Sequence, residues 1–317
     1  MEVNFPELPK DIMSDINKLK PFGPCILLKT KYPNENNIRK LYNLCTGEFH
    51  HLYSPETRGR RCIGSPSGWL FTIDHNNNTH LLNPFTRQQI PLPSLQTLRE
   101  DNSQSSVFRF ALSSSDPSSQ HDCVVMIIDS VSRKLAFASP KSKSWTTIER
   151  ADNEGYCDVI FFKDRFYALT IYGDVRVCDI GTLCVEMFDF PIFPRTVLSR
   201  FYLLEFSGDL LQLVFESTTA SFLAFKLDFD FLVRMRINDL GDNAVFLGTN
   251  ISFSVSTYEY PELKRNSIYF IHDYQDCYEN GDMGIYDFRM NRIEEFYALD
   301  SIIYSFCPAL FFTPSLV

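Results

Sequence analysis

Short apolar runs alternate with polar turns along this chain, and one phrase returns six times. It consists of an apolar pair or triplet, a small polar residue, a polar turn and a second apolar run. The copies are Leu41-Tyr42-Asn43-Leu44, Leu81-Leu82-Asn83-Pro84, Phe137-Ala138-Ser139-Pro140, Val177-Cys178-Asp179-Ile180, Lys226-Leu227-Asp228-Phe229 and Ile285-Tyr286-Asp287-Phe288. Asn, Asp and Ser suit the start of a turn because their short side chains bond back to the backbone two residues on, so each copy predicts a β-hairpin. The anchors Asn43, Asn83, Ser139, Asp179, Asp228 and Asp287 are 40, 56, 40, 49 and 59 residues apart. A strand-built repeat of this length predicts a β-propeller, in which no blade can bury its own faces and neighbours must stack around a ring.

The pattern predicts six blades, at 24–55 plus 306–314, 61–94, 105–149, 156–190, 197–237 and 243–298. The last apolar strand, Ala309-Leu310-Phe311-Phe312-Thr313, has no hairpin partner after it and is expected to complete the first blade. Seven blades remain open, because the last repeat is long enough to hold extra strands. Residues 1–22 differ from the rest: Leu8, Ile12, Ile16 and Leu19 form one apolar stripe at helical spacing, Pro9 and Asp11 suit a helix start, and Pro21 and Gly23 stop it. The expected division is therefore a short helical segment, 1–22, followed by an all-β propeller of kelch-like type, 23–317. Ser113–Ser119 reads as a flexible hairpin loop with no packing content of its own.

Composition narrows the function classes. A 44% apolar and 15% aromatic content, with 29 Phe and 15 Tyr, suits a β-rich buried fold. A net charge of −9 argues against a general nucleic-acid binder. Nine cysteines without any Cys-x-x-Cys pair read as reduced thiols, and no apolar run approaches the ~18 residues needed to span a bilayer. A cytoplasmic or nuclear protein with no membrane partner is the expectation.

Several phrases resemble the plant KIB-type β-propeller family, whose propeller usually stands behind an F-box. They are Gly64-Ser65-Pro66-Ser67-Gly68-Trp69-Leu70, Leu81-Leu82-Asn83-Pro84 with Ile90-Pro91-Leu92-Pro93, Tyr202-Leu203-Leu204-Glu205-Phe206-Ser207-Gly208-Asp209-Leu210-Leu211, Phe246-Leu247-Gly248, Asn266-Ser267-Ile268-Tyr269-Phe270 and the closing Phe312-Thr313-Pro314-Ser315-Leu316. With the shorter matches between them they cover about residues 24–317 in order. The resemblance implies a protein-binding propeller with a link to ubiquitin-dependent recognition. Phe5-Pro6-Glu7-Leu8-Pro9 looks like the opening of an F-box, but the chain then passes through Pro21 and Gly23 into the first strand. A Skp1-type adaptor is therefore not an expected partner, because so short a helix covers only part of a stable interface.

Motifs for chemistry are sparse. His50, His51, His75, His80, His121 and His272 lack ligand spacing, so no metal site is expected. No nucleophile elbow, phosphate loop or dinucleotide turn occurs, so no catalytic residue and no cofactor is expected. Two clusters are candidates for holding a partner protein. Arg58, Arg60 and Arg61 form a compact basic group on an acidic chain, able to grip phosphate or carboxylate. Tyr274, Asp276, Tyr278 and Glu279 lie in an acidic, aromatic loop of interface-like composition. The alternative class is a small-molecule-binding or catalytic propeller using its axial channel.

Overall fold

The structure, a computed structural model, describes residues 23–28, 37–98, 107–118, 123–148, 154–188, 190, 199–248, 250–271, 283–295 and 310–313. The expected N-terminal helix and the loop 274–282 lie outside these residues.

The described strands form six sheets, each a blade. Blade one holds β1 (Cys25–Leu28), β2 (Ile38–Asn43) and β3 (Phe49–Tyr53). Blade two holds β4 (Arg61–Gly64), β5 (Leu70–Ile73), β6 (Thr79–Leu82) and β7 (Gln89–Leu92). Blade three is β8 (Val107–Leu112), β9 (Val125–Asp129), β10 (Leu135–Ala138) and β11 (Thr146–Thr147). Blade four is β12 (Tyr156–Phe162), β13 (Arg165–Thr170), β14 (Val175–Asp179) and β15 (Cys184–Met187). Blade five is β16 (Ser199–Phe206), β17 (Asp209–Glu216), β18 (Ser221–Asp228) and β19 (Val233–Ile237). Blade six has five strands, β20 (Asn243–Leu247), β21 (Ser252–Ser256), β22 (Ser267–Ile271), β23 (Met283–Asp287) and β24 (Arg292–Glu295). The last strand, β25 (Leu310–Phe312), pairs antiparallel with β1, Cys25 facing Phe312 and Leu27 facing Leu310. The chain is thus an all-β, six-bladed propeller. The extra length of the last repeat is a fifth strand, not a seventh blade: β20 pairs antiparallel with β21 and parallel with β22.

Alternation along each strand builds the core between blades. In β9, Val125 and Ile127 face blade two while Met126 and Ile128 face blade four. In β1, Ile26 and Leu28 join Phe246 and Phe311, and Cys25 and Leu27 join Leu70 and Phe312 on the other face. Every blade is therefore apolar on both faces, unlike a sheet with one wet side. Six such seams result, one per neighbouring pair. Each fully buried large side chain contributes roughly 1.5–3 kcal/mol, so the ring is held by its seams.

The repeated phrase is turn chemistry, as its residues suggest. Asn43, Asn83, Asp179, Asp228 and Asp287 each accept two backbone N–H bonds on one Oδ1, from the residues two and three further on, at 2.7–3.3 Å. Four residues past each anchor the chain leaves the turn in the left-handed region, at Gly47, Arg87, Leu183, Leu232 and Asn291. Ser139 differs. Its shorter side chain pairs with Ser142 Oγ, which also accepts the Ser139 N–H.

Asn83 is fully buried and Asp228 half-buried. Asn83→Ala should lower unfolding free energy by about 1–3 kcal/mol, because the Phe85 and Thr86 amides lose an acceptor that is itself fully buried, and Asp228→Ala by about 1 kcal/mol. Urea denaturation of both variants checks the order.

Candidate functional site

The strands nearest the axis are β25, β4, β8, β12, β16 and β21, each against the next. Two of them carry a β-bulge at the corresponding place. Between Val107 and Arg109 the β8–β9 register shifts, and between Tyr156 and Asp158 the β12–β13 register shifts. A bulge adds one residue and re-aims the side chain beside it. Here the re-aimed side chains are Arg109 and Asp158, which meet in a buried ion pair, Nη1 to Oδ1 at 2.9 Å.

Arg109 and Asp158 gather four blades. Arg109 Nη2 donates to the Gly248 carbonyl (2.8 Å) and Nη1 to Ser252 Oγ (3.1 Å), both in blade six. Asp158 accepts from its neighbour Val159 N–H (2.9 Å), from Leu203 N–H of blade five (2.8 Å) and from Ser252 Oγ (3.4 Å). Burial pushes the Asp158 carboxyl up from its ordinary range, while the Arg109 guanidinium and the Leu203 and Val159 amides hold it down. All its neighbours donate, and only the carboxylate form accepts from every one of them. Burial also raises the nearby Cys157 thiol and Tyr202 hydroxyl, each to about 12. Neither is an acid or base near neutral pH.

Above this floor lies a cavity of about 610 Å³, lined by the inner strands of blades three to six and the β4–β5 turn. Its rim is rich in hydroxyls: Ser65, Ser67, Ser113, Ser115, Ser207 and Ser254. Several are held in place. Ser65 and Ser67 share a hydrogen bond (3.0 Å), Ser113 Oγ accepts Val124 N–H (2.8 Å), and Ser254 Oγ donates to the Glu205 carbonyl (2.8 Å). The segment from Ser113 is not the contentless loop its composition suggests. Ser114 and Asp116 close a turn on themselves, and Pro117 is buried.

The basic cluster lies at the other end of β4 from the rim. Arg60 is engaged within blade two, donating to Thr72 Oγ1 (3.0 Å), the Asn78 carbonyl (2.8 Å), Asp74 (3.2 Å) and His80 Nδ1 (2.8 Å). Arg58, in the turn after Pro55–Thr57, and Arg61, at the head of β4, are exposed. The three therefore do not converge as one anion clamp. Tyr274, Asp276, Tyr278 and Glu279 lie outside the described residues.

The KIB1-4 beta-propeller family model matches residues 41–287. The chain belongs to this family. It is 27% identical over 249 residues to the F-box protein KIB3 of Arabidopsis thaliana, covering 68% of this chain and 53% of that protein. It is 24% identical over 297 residues to the F-box protein KIB4 of the same plant, covering 82% and 73%. The chain thus spans about half the length of KIB3. Among solved structures, virginiamycin B lyase from Staphylococcus aureus superposes with a TM-score of 0.40 at 13% identity, covering 64% of this chain and 63% of that one, a likeness too distant to inform chemistry.

Two glycines in the KIB-like phrases have a physical reason at the axis. A Cβ on Gly64 would lie 2.9 Å from the Phe311 carbonyl and 3.0 Å from Asn250, and one on Gly248 would lie 2.8 Å from Asn250 and 3.2 Å from Phe311. Blades one, two and six approach so closely there that no side chain fits.

Removing one partner of the axial pair should be severe. Arg109→Met and Asp158→Leu are each expected to cost about 3–5 kcal/mol, with only partial recovery in the R109M/D158L double variant, because the Gly248 carbonyl stays unpaired. A double-mutant cycle in urea measures this. Single losses below about 1 kcal/mol would show that the pair is not structural.

His80 supplies a pH signature. Burial and the Arg60 guanidinium push its imidazole below the ordinary histidine value, and Nδ1 must be unprotonated to accept from Arg60. The unfolded chain then binds the proton more readily. Stability should be full above about pH 6.5 and fall as pH drops below it. His80→Gln should flatten that fall in thermal melts between about pH 7 and pH 5.

Proposed function

We propose that this chain is a recognition domain whose axial mouth holds a segment of a partner protein, in the manner expected of the substrate-binding portion of an F-box-type protein. The observation that carries the reading is the use of the buried charges. Both oxygens of Asp158 and both terminal nitrogens of Arg109 are occupied by donors and acceptors of the ring itself, so the floor offers shape and hydroxyls rather than a reactive base. The similarity to the F-box proteins KIB3 and KIB4 supports the same reading. The cavity volume falls in the range of small-molecule sites, which is the observation in favour of the alternative.

We further propose that residues 1–22 do not hold a Skp1-type adaptor, since the F-box-like opening Phe5-Pro6-Glu7-Leu8-Pro9 is followed in the sequence by the helix-stopping Pro21 and Gly23. A cytoplasmic or nuclear setting is part of the proposal, supported by buried Cys25, Cys62 and Cys178 held as free thiols.

The test is capture from plant extract with the full chain, with Ser67→Trp or Ser115→Trp at the mouth, and with Arg58→Glu on the other side. Captured proteins that disappear by tenfold or more with the mouth variants, persist with Arg58→Glu and lack the adaptor are expected. Capture that ignores the mouth, or none at all, would sink the recognition reading, and recovery of the adaptor would sink the adaptor-free one.

A further inference from the structure

One position at the mouth breaks the pattern that builds the rest of the ring. In β16, Phe201 and Leu203 face blade four and pack in its seam, while Tyr202, Leu204 and Phe206 face blade six. Glu205 continues the Phe201–Leu203 face. Alternation calls for an apolar residue there, yet the chain places an exposed carboxylate. Departures from a local rule that bring no gain in stability concentrate where a protein binds.

The charge at the cavity points the same way. Its lining includes three charged side chains, Arg109, Asp158 and Glu205. The first two neutralise one another at 2.9 Å. Among the described residues the Glu205 carboxylate has no ion-pair partner, its backbone carbonyl alone being engaged, by Ser254. The mouth is therefore an uncharged, hydroxyl-rimmed funnel with one free negative charge on its wall. Phe161 and Phe253 also line it, and such apolar walls suit the methylene stem of a long side chain whose charged end stays near water. A net charge of −9 draws basic partners toward the protein as a whole.

The geometry points to a specific occupant: a lysine side chain of an extended partner segment, its stem between Phe161 and Phe253, its ammonium on Glu205 and its backbone on the serine rim. This rests on the recognition reading above and names what the mouth recognises. An anionic segment is disfavoured, because the Arg109 charge is already neutralised by Asp158 at 2.9 Å and Glu205 would repel it.

The probes are end-blocked five-residue peptides of glycine and serine with lysine, norleucine or glutamate at the centre, and free n-butylamine, titrated into the full chain by NMR. The lysine peptide is expected to bind at least about fivefold tighter than the norleucine peptide, the scale of one partly screened ion pair. Glu205→Gln should erase that preference, and Glu205→Lys should transfer it to the glutamate peptide. Glu205→Leu, which restores the apolar alternation, should keep or raise the melting temperature while losing the preference, separating a binding role from a structural one. Equal binding of the peptides, a preference that survives Glu205→Gln, or no peptide binding overturns the inference. So does n-butylamine binding as tightly as the lysine peptide, which would mark a small-cation site. A lysine preference governed by Glu205, beside extract capture that ignores the mouth, would leave this site standing and remove the partner reading alone.

Discussion

The Arg109–Asp158 pair is the constraint on which the centre of this ring depends. Its origin lies in the fifth strand of blade six. Laying β21 inside β20 brings the turn Gly248–Ile251 to the axis, where Gly248, Asn250 and Ile251 are all buried. A buried turn leaves backbone groups that no ladder satisfies. Gly248 N–H bonds within the turn to the Ile251 carbonyl, but the Gly248 carbonyl needs a donor from elsewhere. Arg109 supplies it, and a buried guanidinium in turn requires a carboxylate, which Asp158 provides. Both side chains reach the axis only because β8 and β12 are bulged beside them. An extra strand in one blade thus dictates a charge and a backbone irregularity in two others.

The arrangement divides labour between the seams and the axis. The seams are apolar and non-directional, and six of them make the ring stable without specifying how its blades meet at the centre. The axial network is polar and directional. It fixes Leu203 of blade five and Ser252 of blade six relative to Asp158 within hydrogen-bond distance. Gly64 and Gly248 permit the remaining close approach, where the Phe311 carbonyl and Asn250 come together. A cavity above such a floor keeps its shape, which lowers the entropic cost of binding there.

The blades were legible in the sequence because their signal is local. Five anchors use the same Asx geometry over three residues, and that geometry is written in the residue types themselves. The site was much less legible. Its members come from five blades, and their proximity is a property of the closed ring rather than of any segment. A signal did exist: Arg109 and Asp158 are lone opposite charges inside apolar runs, Val107-Phe108-Arg109-Phe110-Ala111 and Tyr156-Cys157-Asp158-Val159-Ile160, on the first strands of consecutive blades. The Arg58–Arg61 cluster drew attention through compactness instead. The three stand in a turn, ahead of β4 and at its head, so closeness in sequence does not bring them to one face, and Arg60 turned inward to hold Thr72, Asp74 and His80.

The same reasoning separates the two carboxylates at the axis. Asp158 and Glu205 each interrupt an apolar strand, and each lines the cavity. Asp158 is 2% exposed at its side chain and surrounded by donors from its own blade and three others. Its charge is required by Arg109 and would be costly to leave unpaired. Glu205 stands where the β16–β17 ladder still continues, one pair before the Phe206–Asp209 turn, at a place where water can reach it. No buried group requires a charge there, and leucine would extend the seam already formed by Phe201 and Leu203. A buried charge that completes a network is explained by folding. A wall charge that shortens an apolar seam without a partner is not, and what it faces is the open mouth.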